Sequence, residues 1–397
     1  MPDIHAELAD VLPGAIAEAG KRIKHNATKW ANLFPGDNTI DQFWEIRPPG
    51  DGLEVAGANH GWTTSFWTGM FWLAYEWTKD PLLLATAKSQ SADFVRRVTA
   101  EQDIDTHDLG FLYSLSNVAE LRLFPDAEWP RKGAMLAADW LMKRYLPSAG
   151  VIQAWGDLTD PAQRGRTIID SLMNLPLLVW AAEVTGDPKY LDAVRTHSAE
   201  IAKRIIRADD STFHTFYWDP ETGEPLRGDT HQGFSDTSCW ARGQTWGIYG
   251  FTMAYQASGN ADLLDAANRV ADYYLKALPA DSVPYWDLIF NDGSAEERDT
   301  SAAAIAYCGL QELAAENEKL GDVKRATQYR DAAAQMLYSL ITKYTPSALG
   351  RDSDALLLES VYNKPTGHGI NEATQFGDYY YAEALMRAAN PTWHRYW

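Results

Sequence analysis

Four short stretches of this chain repeat one device. Thr78-Lys79-Asp80-Pro81, Thr185-Gly186-Asp187-Pro188, Ser258-Gly259-Asn260-Ala261 and Leu320-Gly321-Asp322-Val323 each end one helical run and begin another. A residue tolerating the left-handed conformation closes the first helix, and the Asp or Asn after it caps the next. The product is a helical hairpin. Phe124-Pro125-Asp126 reads as a looser fifth copy. Small residues such as Ala87, Ala193, Ala267 and Ala326 follow the turns in amphipathic runs, as an outer layer of helices requires.

Apolar periodicity predicts twelve helices, at 5–31, 63–79, 82–101, 108–122, 128–146, 169–185, 188–207, 240–257, 261–277, 299–318, 323–344 and 376–389. Residues 209–230, with beta-branched and aromatic residues around Asp219-Pro220-Glu221-Thr222-Gly223, predict a β-hairpin. Trp62 precedes Asp80 by 18 residues, Asp108 precedes Asp126 by 18, Asp170 precedes Asp187 by 17, and Arg242 precedes Asn260 by 18. With one hairpin per repeat, all four lie at the same end of their inner helices. Inner stretches such as Leu172–Ala182 and Trp246–Ala257 are apolar nearly all round, as buried helices are. Six hairpins of this kind predict an all-α (α/α)6 barrel, one catalytic domain over residues 1–397 with a single mouth.

Composition excludes several functions. The net charge of -19, with no basic stripe, argues against nucleic acid as a partner. No window offers the roughly 18 continuous apolar residues of a membrane span. Cys239 and Cys308 form no CxxC pair, which argues against disulfides and structural zinc. Met1-Pro2-Asp3-Ile4-His5 has neither a basic nor an apolar leader region. The expectation is a cytoplasmic protein without a metal. Oligomeric state is not legible from these residues.

The chemistry-bearing residues collect at the predicted mouth. Asp170 lies inside Thr167-Ile168-Ile169-Asp170-Ser171-Leu172-Met173, where aliphatic neighbours raise a carboxyl pKa by desolvation. That is how a general acid keeps its proton near neutrality. Asp108, in His107-Asp108-Leu109-Gly110-Phe111, reads either as a helix N-cap with His107 packed beside it or as the ionised partner of Asp170. The segment His231-Gln232-Gly233 to Trp240-Ala241-Arg242-Gly243-Gln244-Thr245-Trp246 sets Arg242 and Trp246 four residues apart on one face. A guanidinium beside an indole suits a planar carboxylate on a sugar, with Gln232 and His231 completing its hydrogen bonds. Sixteen tryptophans supply stacking surface. Trp62, Trp67, Trp72, Trp155 and Trp286 lie near the same end, Trp155 the best placed because its loop precedes Asp170, and His214 in the hairpin is positioned to fold over the mouth.

These segments, with Gly377-Asp378-Tyr379-Tyr380-Tyr381 near the end, resemble the unsaturated glucuronyl hydrolases of glycoside hydrolase family 88. The resemblance runs from about residue 20 onward. It implies an (α/α)6 barrel with no metal or organic cofactor. The implied substrate is a small oligosaccharide left by a polysaccharide lyase, ending in a 4,5-unsaturated uronic acid. It also implies Asp170 as acid/base and Asp108 as second essential carboxylate, with Trp62, Trp155, His214, Gln232, Arg242 and Trp246 lining the site. In its implied mechanism the C4=C5 vinyl ether is protonated at C4 and hydrated at C5. Separation rules for ordinary glycosidase carboxylates therefore do not apply. Members that accept sulfated glycosaminoglycans carry small hydroxyl residues and a lysine before Gly-x-Asn-Glu. Here that stretch is Lys364-Pro365-Thr366-Gly367-His368-Gly369-Ile370-Asn371-Glu372. Thr366 and His368 become candidate binding residues, and His368 in the lysine position weakens the case for sulfated substrates.

Three rival readings stay open at this stage. Unsaturated rhamnogalacturonyl hydrolases share the barrel and the aspartate pair. Sugar epimerases share the barrel but work through paired histidines, which the chain does not place at matching hairpin positions. The last is a non-catalytic sugar-binding barrel.

Overall fold

A computed structural model describes residues 3–50, 55–160 and 163–397. Its helices are α1 (Ile4–Trp30), α2 (Thr64–Thr78), α3 (Pro81–Thr99), α4 (Leu109–Tyr113), α5 (Ala119–Leu123), α6 (Glu128–Met142) and α7 (Pro176–Thr185). They continue with α8 (Pro188–Ile205), α9 (Ala241–Ser258), α10 (Ala261–Ala277), α11 (Thr300–Lys319), α12 (Val323–Ser339), α13 (Pro346–Leu349) and α14 (Gln375–Ala389). The inner ring is α2, α4–α5, α7, α9, α11 and α14, and α14 packs against α2 to close it. Helices α1, α3, α6, α8, α10 and α12 lie outside. The predicted α/α barrel is thus the observed architecture.

The repeated turn works as its chemistry demands. Lys79, Gly186 and Gly259 end α2, α7 and α9 at φ of 55°, 70° and 71°. Asp80, Asp187 and Asn260 then accept backbone N–H bonds from Leu82, Lys189 and Asp262. In the fourth copy Gly321 takes the left-handed φ of 86° and Asp322 accepts from the Arg325 N–H. The fifth copy departs from the device: Phe124 is not left-handed and Asp126 caps nothing, since Ala127 holds the cap position.

Four predicted helices are less regular than their periodicity suggests; the eleventh, 323–344, is α-helical to Ser339 and runs on as a π-helical turn, Leu340–Tyr344. The fourth is broken by a π-helical turn at Ser114–Val118. The sixth opens as a 3-10 turn, Ile169–Asn174, and becomes α-helical only from Pro176, whose fixed φ suits a first turn. The fifth stops at Met142, and Tyr145–Leu146 (β1) pairs instead with Val151–Ile152 (β2). The predicted hairpin exists as β4 (Thr215–Trp218) and β5 (Pro225–Asp229), and Arg166–Ile168 (β3) adds a third antiparallel strand. A further hairpin, β6 (Ser360–Asn363) with β7 (His368–Glu372), carries Thr366 in its turn.

The strands and loops cluster at the end of the barrel where Trp62, Asp108, Asp170 and Arg242 begin or precede inner helices. A cavity of about 1140 Å³ opens at the opposite end, among the C-terminal ends of α9, α11 and α14. It contains none of the predicted site residues. Between the two ends an aromatic column fills the bore. Trp397 stacks on Tyr380 at 5.9 Å and lies 5.9 Å from Phe111. Phe111 in turn lies 5.7 Å from Trp62 and 5.4 Å from Trp246.

Candidate active site

Asp108 sits at the turn entering α4, and its side chain caps no helix amide. Asp108 thus holds the N-cap position of α4 with His107 beside it, but without a side-chain cap bond. Its Oδ2 accepts a 2.8 Å bond from Thr106 Oγ1, and its own N–H donates to that hydroxyl oxygen at 3.1 Å. His107 Nε2 is 3.3 Å from Asp108 Oδ1. The His107 ring is buried, and burial lowers its pKa, with the Asp108 charge opposing.

Asp170 is reached from strand β3. The Ile169 N–H donates to the His214 carbonyl at 3.0 Å, and Ser171 Oγ donates to the Ile168 carbonyl at 2.6 Å. Both bonds fix the backbone on either side of the carboxyl. Asp170 is 7% exposed, and its Oδ1 is buried with no hydrogen-bond partner in the protein. Desolvation pushes its pKa up to about 7; Arg242 opposes the shift and the charge of Asp108 adds to it. The two carboxylate-bearing segments are clamped together one turn further in. Asn174 Oδ1 accepts the Phe111 N–H at 2.7 Å. Gly110 allows this approach, because a Cβ there would lie 2.2 Å from the Asn174 Cα.

Arg242 is present at the site, but not as an open fork. Nη1 donates to Asp299 Oδ2 at 2.8 Å and to the Val361 carbonyl at 2.6 Å. Nη2 donates to Gln232 Oε1 at 2.7 Å and to the Tyr362 carbonyl at 2.6 Å. All four Nη hydrogens are thereby used, and the residue is 2% exposed. Its aromatic neighbours are Trp240 at 4.4 Å and Phe376 at 4.7 Å. The expected guanidinium–indole neighbour is Trp240 rather than Trp246, and the Nη hydrogens are taken by protein acceptors. Buried Asp299 takes one side of the fork, and a helical interval of four residues does not decide which ring a long side chain meets.

The remaining predicted residues divide into wall, floor and rim. His214 is buried against Trp240, ring centroids 4.4 Å apart, and its Nδ1 accepts the His231 N–H at 3.1 Å. That bond assigns the hydrogen to Nε2, a buried atom with no partner in the protein. Burial holds the His214 pKa well below its ordinary value, with His231 and Arg242 adding to the effect. The Trp155 ring meets the His231 ring at 5.3 Å. Trp62 Nε1 donates to the Tyr362 hydroxyl at 2.7 Å, and its ring stacks on Phe376. Trp246 is fully buried beneath Phe111 and belongs to the floor. His368 is exposed on β7 with its ring 4.9 Å from Tyr362. Thr366 bonds only within its own turn, to Asn363, and is not brought to the other residues. The nearby Lys364 is committed to Glu297 and lies 3.7 Å from Glu296.

Sequence reasoning missed Asp299, which neutralises Arg242, and Tyr362, which ties Arg242, Trp62 and His368 to one strand. It also missed Arg166, over the Trp155 ring at 4.9 Å. Among the described residues no group of three His, Cys, Asp or Glu is arranged to hold a metal ion, and no helix is long and apolar enough to cross a membrane.

Comparison with known proteins places the whole chain. The chain is 41% identical over 383 residues to an unsaturated chondroitin disaccharide hydrolase of Streptococcus pneumoniae, covering 96% of this chain and 93% of that protein. The crystal structure of an unsaturated glucuronyl hydrolase from Streptococcus agalactiae superposes with a TM-score of 0.90 at 41% identity, over 98% of this chain and 94% of that one. A UGL mutant solved with dGlcA-Glc-Rha-Glc matches with a TM-score of 0.88 at 39% identity, over 96% of this chain and 98% of that one. The profile of Glycosyl Hydrolase Family 88 matches residues 19–390. The chain belongs to glycosyl hydrolase family 88 and is a glycosidase.

Proposed function

We propose that this enzyme removes a 4,5-unsaturated uronic acid from the non-reducing end of lyase-generated oligosaccharides, glycosaminoglycan disaccharides foremost. The observation that carries the reading is Asp170: a buried carboxyl, pKa raised to about 7, with an unpartnered Oδ1 beside a second carboxylate. Such a group holds a proton near neutrality and releases it to a carbon base. The names of the relatives, a chondroitin disaccharide hydrolase and a glucuronyl hydrolase, support the same substrate class.

In the proposed reaction the C4=C5 electron pair takes the Asp170 proton at C4, leaving a cation at C5 that the ring oxygen stabilises. Water adds at C5 and returns a proton to the Asp170 carboxylate. The C5 hemiketal opens as C5=O forms and the C5–O5 bond breaks. The hemiacetal left at C1 then expels the leaving sugar as an alcohol. Asp108, oriented by Thr106, accepts from a sugar hydroxyl. His214 Nε2–H offers a donor from the opposite wall. Arg242 acts chiefly as a buried charge that moderates Asp170 and holds Gln232 and the Tyr362 strand in place.

We infer one catalytic domain over residues 1–397, supported by the closed ring of inner helices. A cytoplasmic setting is supported by the two cysteines, Cys239 and Cys308, both free and buried. The test is loss of the ultraviolet absorbance of the C4=C5 bond with unsaturated chondroitin, hyaluronan, heparin and pectin fragments. Activity on the glycosaminoglycan disaccharides is expected; activity confined to pectin fragments would replace the substrate class.

A further inference from the structure

Outside the site just described, one apolar patch on the rim is exposed on loops held by hydrogen bonds beneath it. Phe234 is 57% exposed and Ile289 is 59% exposed. The Phe234 ring lies 5.2 Å from Phe290 and 6.2 Å from Trp286. A single fully buried carboxylate, Asp287, holds the loops beneath them. Its Oδ2 accepts from the Phe234 N–H at 2.8 Å and from Ser238 Oγ at 2.7 Å, and its Oδ1 accepts from the Ile289 N–H at 3.1 Å. Fixing an aromatic ring in water spends order without burying surface, and a pre-formed stacking surface explains the arrangement.

The patch is continuous with the site wall. Asp287 pairs through its backbone with Trp240, the residue between His214 and Arg242. Phe234 is two residues from Gln232, whose side chain binds Arg242. On its far side the Trp286 indole donates to Glu296, which with Glu297 surrounds Lys364. Lys364, the cation on that side, is thereby neutralised, and on the other side Arg207 donates to the Asp236 carbonyl at 2.8 Å, which leaves an aromatic face bordered by acceptors. That combination fits the C–H face and hydroxyls of an uncharged hexose.

We propose that Phe234, supported by Trp286 and Phe290, is a sugar-binding subsite for uncharged rings beyond the first ring of the leaving group. The enzyme then gains affinity from oligosaccharides longer than a disaccharide. This rests on the function proposed above. The test compares wild type, Phe234→Ala and Phe234→Tyr on unsaturated chondroitin disaccharide and on dGlcA-Glc-Rha-Glc. In Phe234→Ala, KM for the tetrasaccharide should rise about three- to tenfold, the worth of one aromatic contact, with the disaccharide unchanged. Phe234→Tyr should restore the tetrasaccharide KM. An unchanged ratio, or equal losses on both substrates, overturns the subsite. Should wild type turn over neither substrate, the proposed reaction fails, and calorimetric titration of the tetrasaccharide still decides this point. Weaker binding by Phe234→Ala supports the subsite; equal binding overturns it. Dissociation of an oligomer in Phe234→Ala, at an unchanged ratio, assigns the patch to a second copy of the chain and also overturns it.

Discussion

At the scale of single residues, the Asp170 proton governs both rate and stability. Because the acid form starts the reaction, kcat should fall as pH rises through about 7. Asp170→Asn preserves shape but has no proton to give, so kcat should drop by about 10²- to 10⁴-fold with KM little changed. Equal loss of binding would make the residue structural. Stability moves with pH in the same direction as kcat, whereas the substitution affects the two oppositely. The folded protein binds this proton more tightly than the unfolded chain, so stability is greatest below the unfolded pKa and declines until pH passes about 7. Asp170→Asn should therefore be the more stable protein at pH 8, by on the order of 1 kcal/mol or more, and the gain should vanish at acid pH. Denaturant titrations of both proteins at the two pH values read this directly. Arg242 behaves otherwise, since its charge is matched inside the fold. Asp299→Asn would leave the guanidinium short of its counter-charge and should cost about 3–5 kcal/mol, well beyond a surface ion pair. A cost below about 1 kcal/mol would show that backbone carbonyls suffice.

Among the elements, the contact that aligns the two aspartates is the approach of α4 to the 3-10 turn Ile169–Asn174. Gly110→Ala places a methyl group into the Asn174 backbone, and Gly250→Ala places one 2.4 Å from the Leu172 Cβ. Backbone cannot yield as a flexible side chain does, so Gly110→Ala should be the costlier, at about 3 kcal/mol or more. Thermal melts of the two variants give the order. The 3-10 turn has a second anchor in His197, whose Nδ1 accepts the Ile152 N–H and whose Nε2 lies 2.7 Å from Ser171 Oγ. How much of this was legible follows from distance along the chain. The helical hairpins show in sequence because each turn is local: a left-handed residue, then a cap. The desolvation of Asp170 shows because its aliphatic neighbours are adjacent to it. Strands β1, β2, β3, β6 and β7 do not show, because runs of two to five residues carry little periodicity, and β3 is held by a strand far along the chain, β4. The Arg242–Asp299 pair, 57 residues apart, is set by how α9 and α11 pack. No spacing rule within one helix reaches that far.

For the molecule as a whole, the barrel separates a chemical end from a structural end. At the chemical end loops and short strands surround Asp170. Through the bore, Trp397 supports Phe111 from below, and its indole donates to the fully buried Glu383. Trp397→Ala would open a cavity under the floor and should cost about 3–5 kcal/mol. It should also lower activity through Phe111, although no atom of Trp397 lies among the site residues. The central claim, however, concerns bonds in the substrate, and it can be read from the product. Turnover of unsaturated chondroitin disaccharide in D2O, followed by NMR at early times, should show the C4=C5 bond consumed and one deuterium at C4 of the released keto-acid. Release of a uronic acid with its double bond intact would mean ordinary displacement at the anomeric carbon. That result would contradict protonation of the vinyl ether by Asp170.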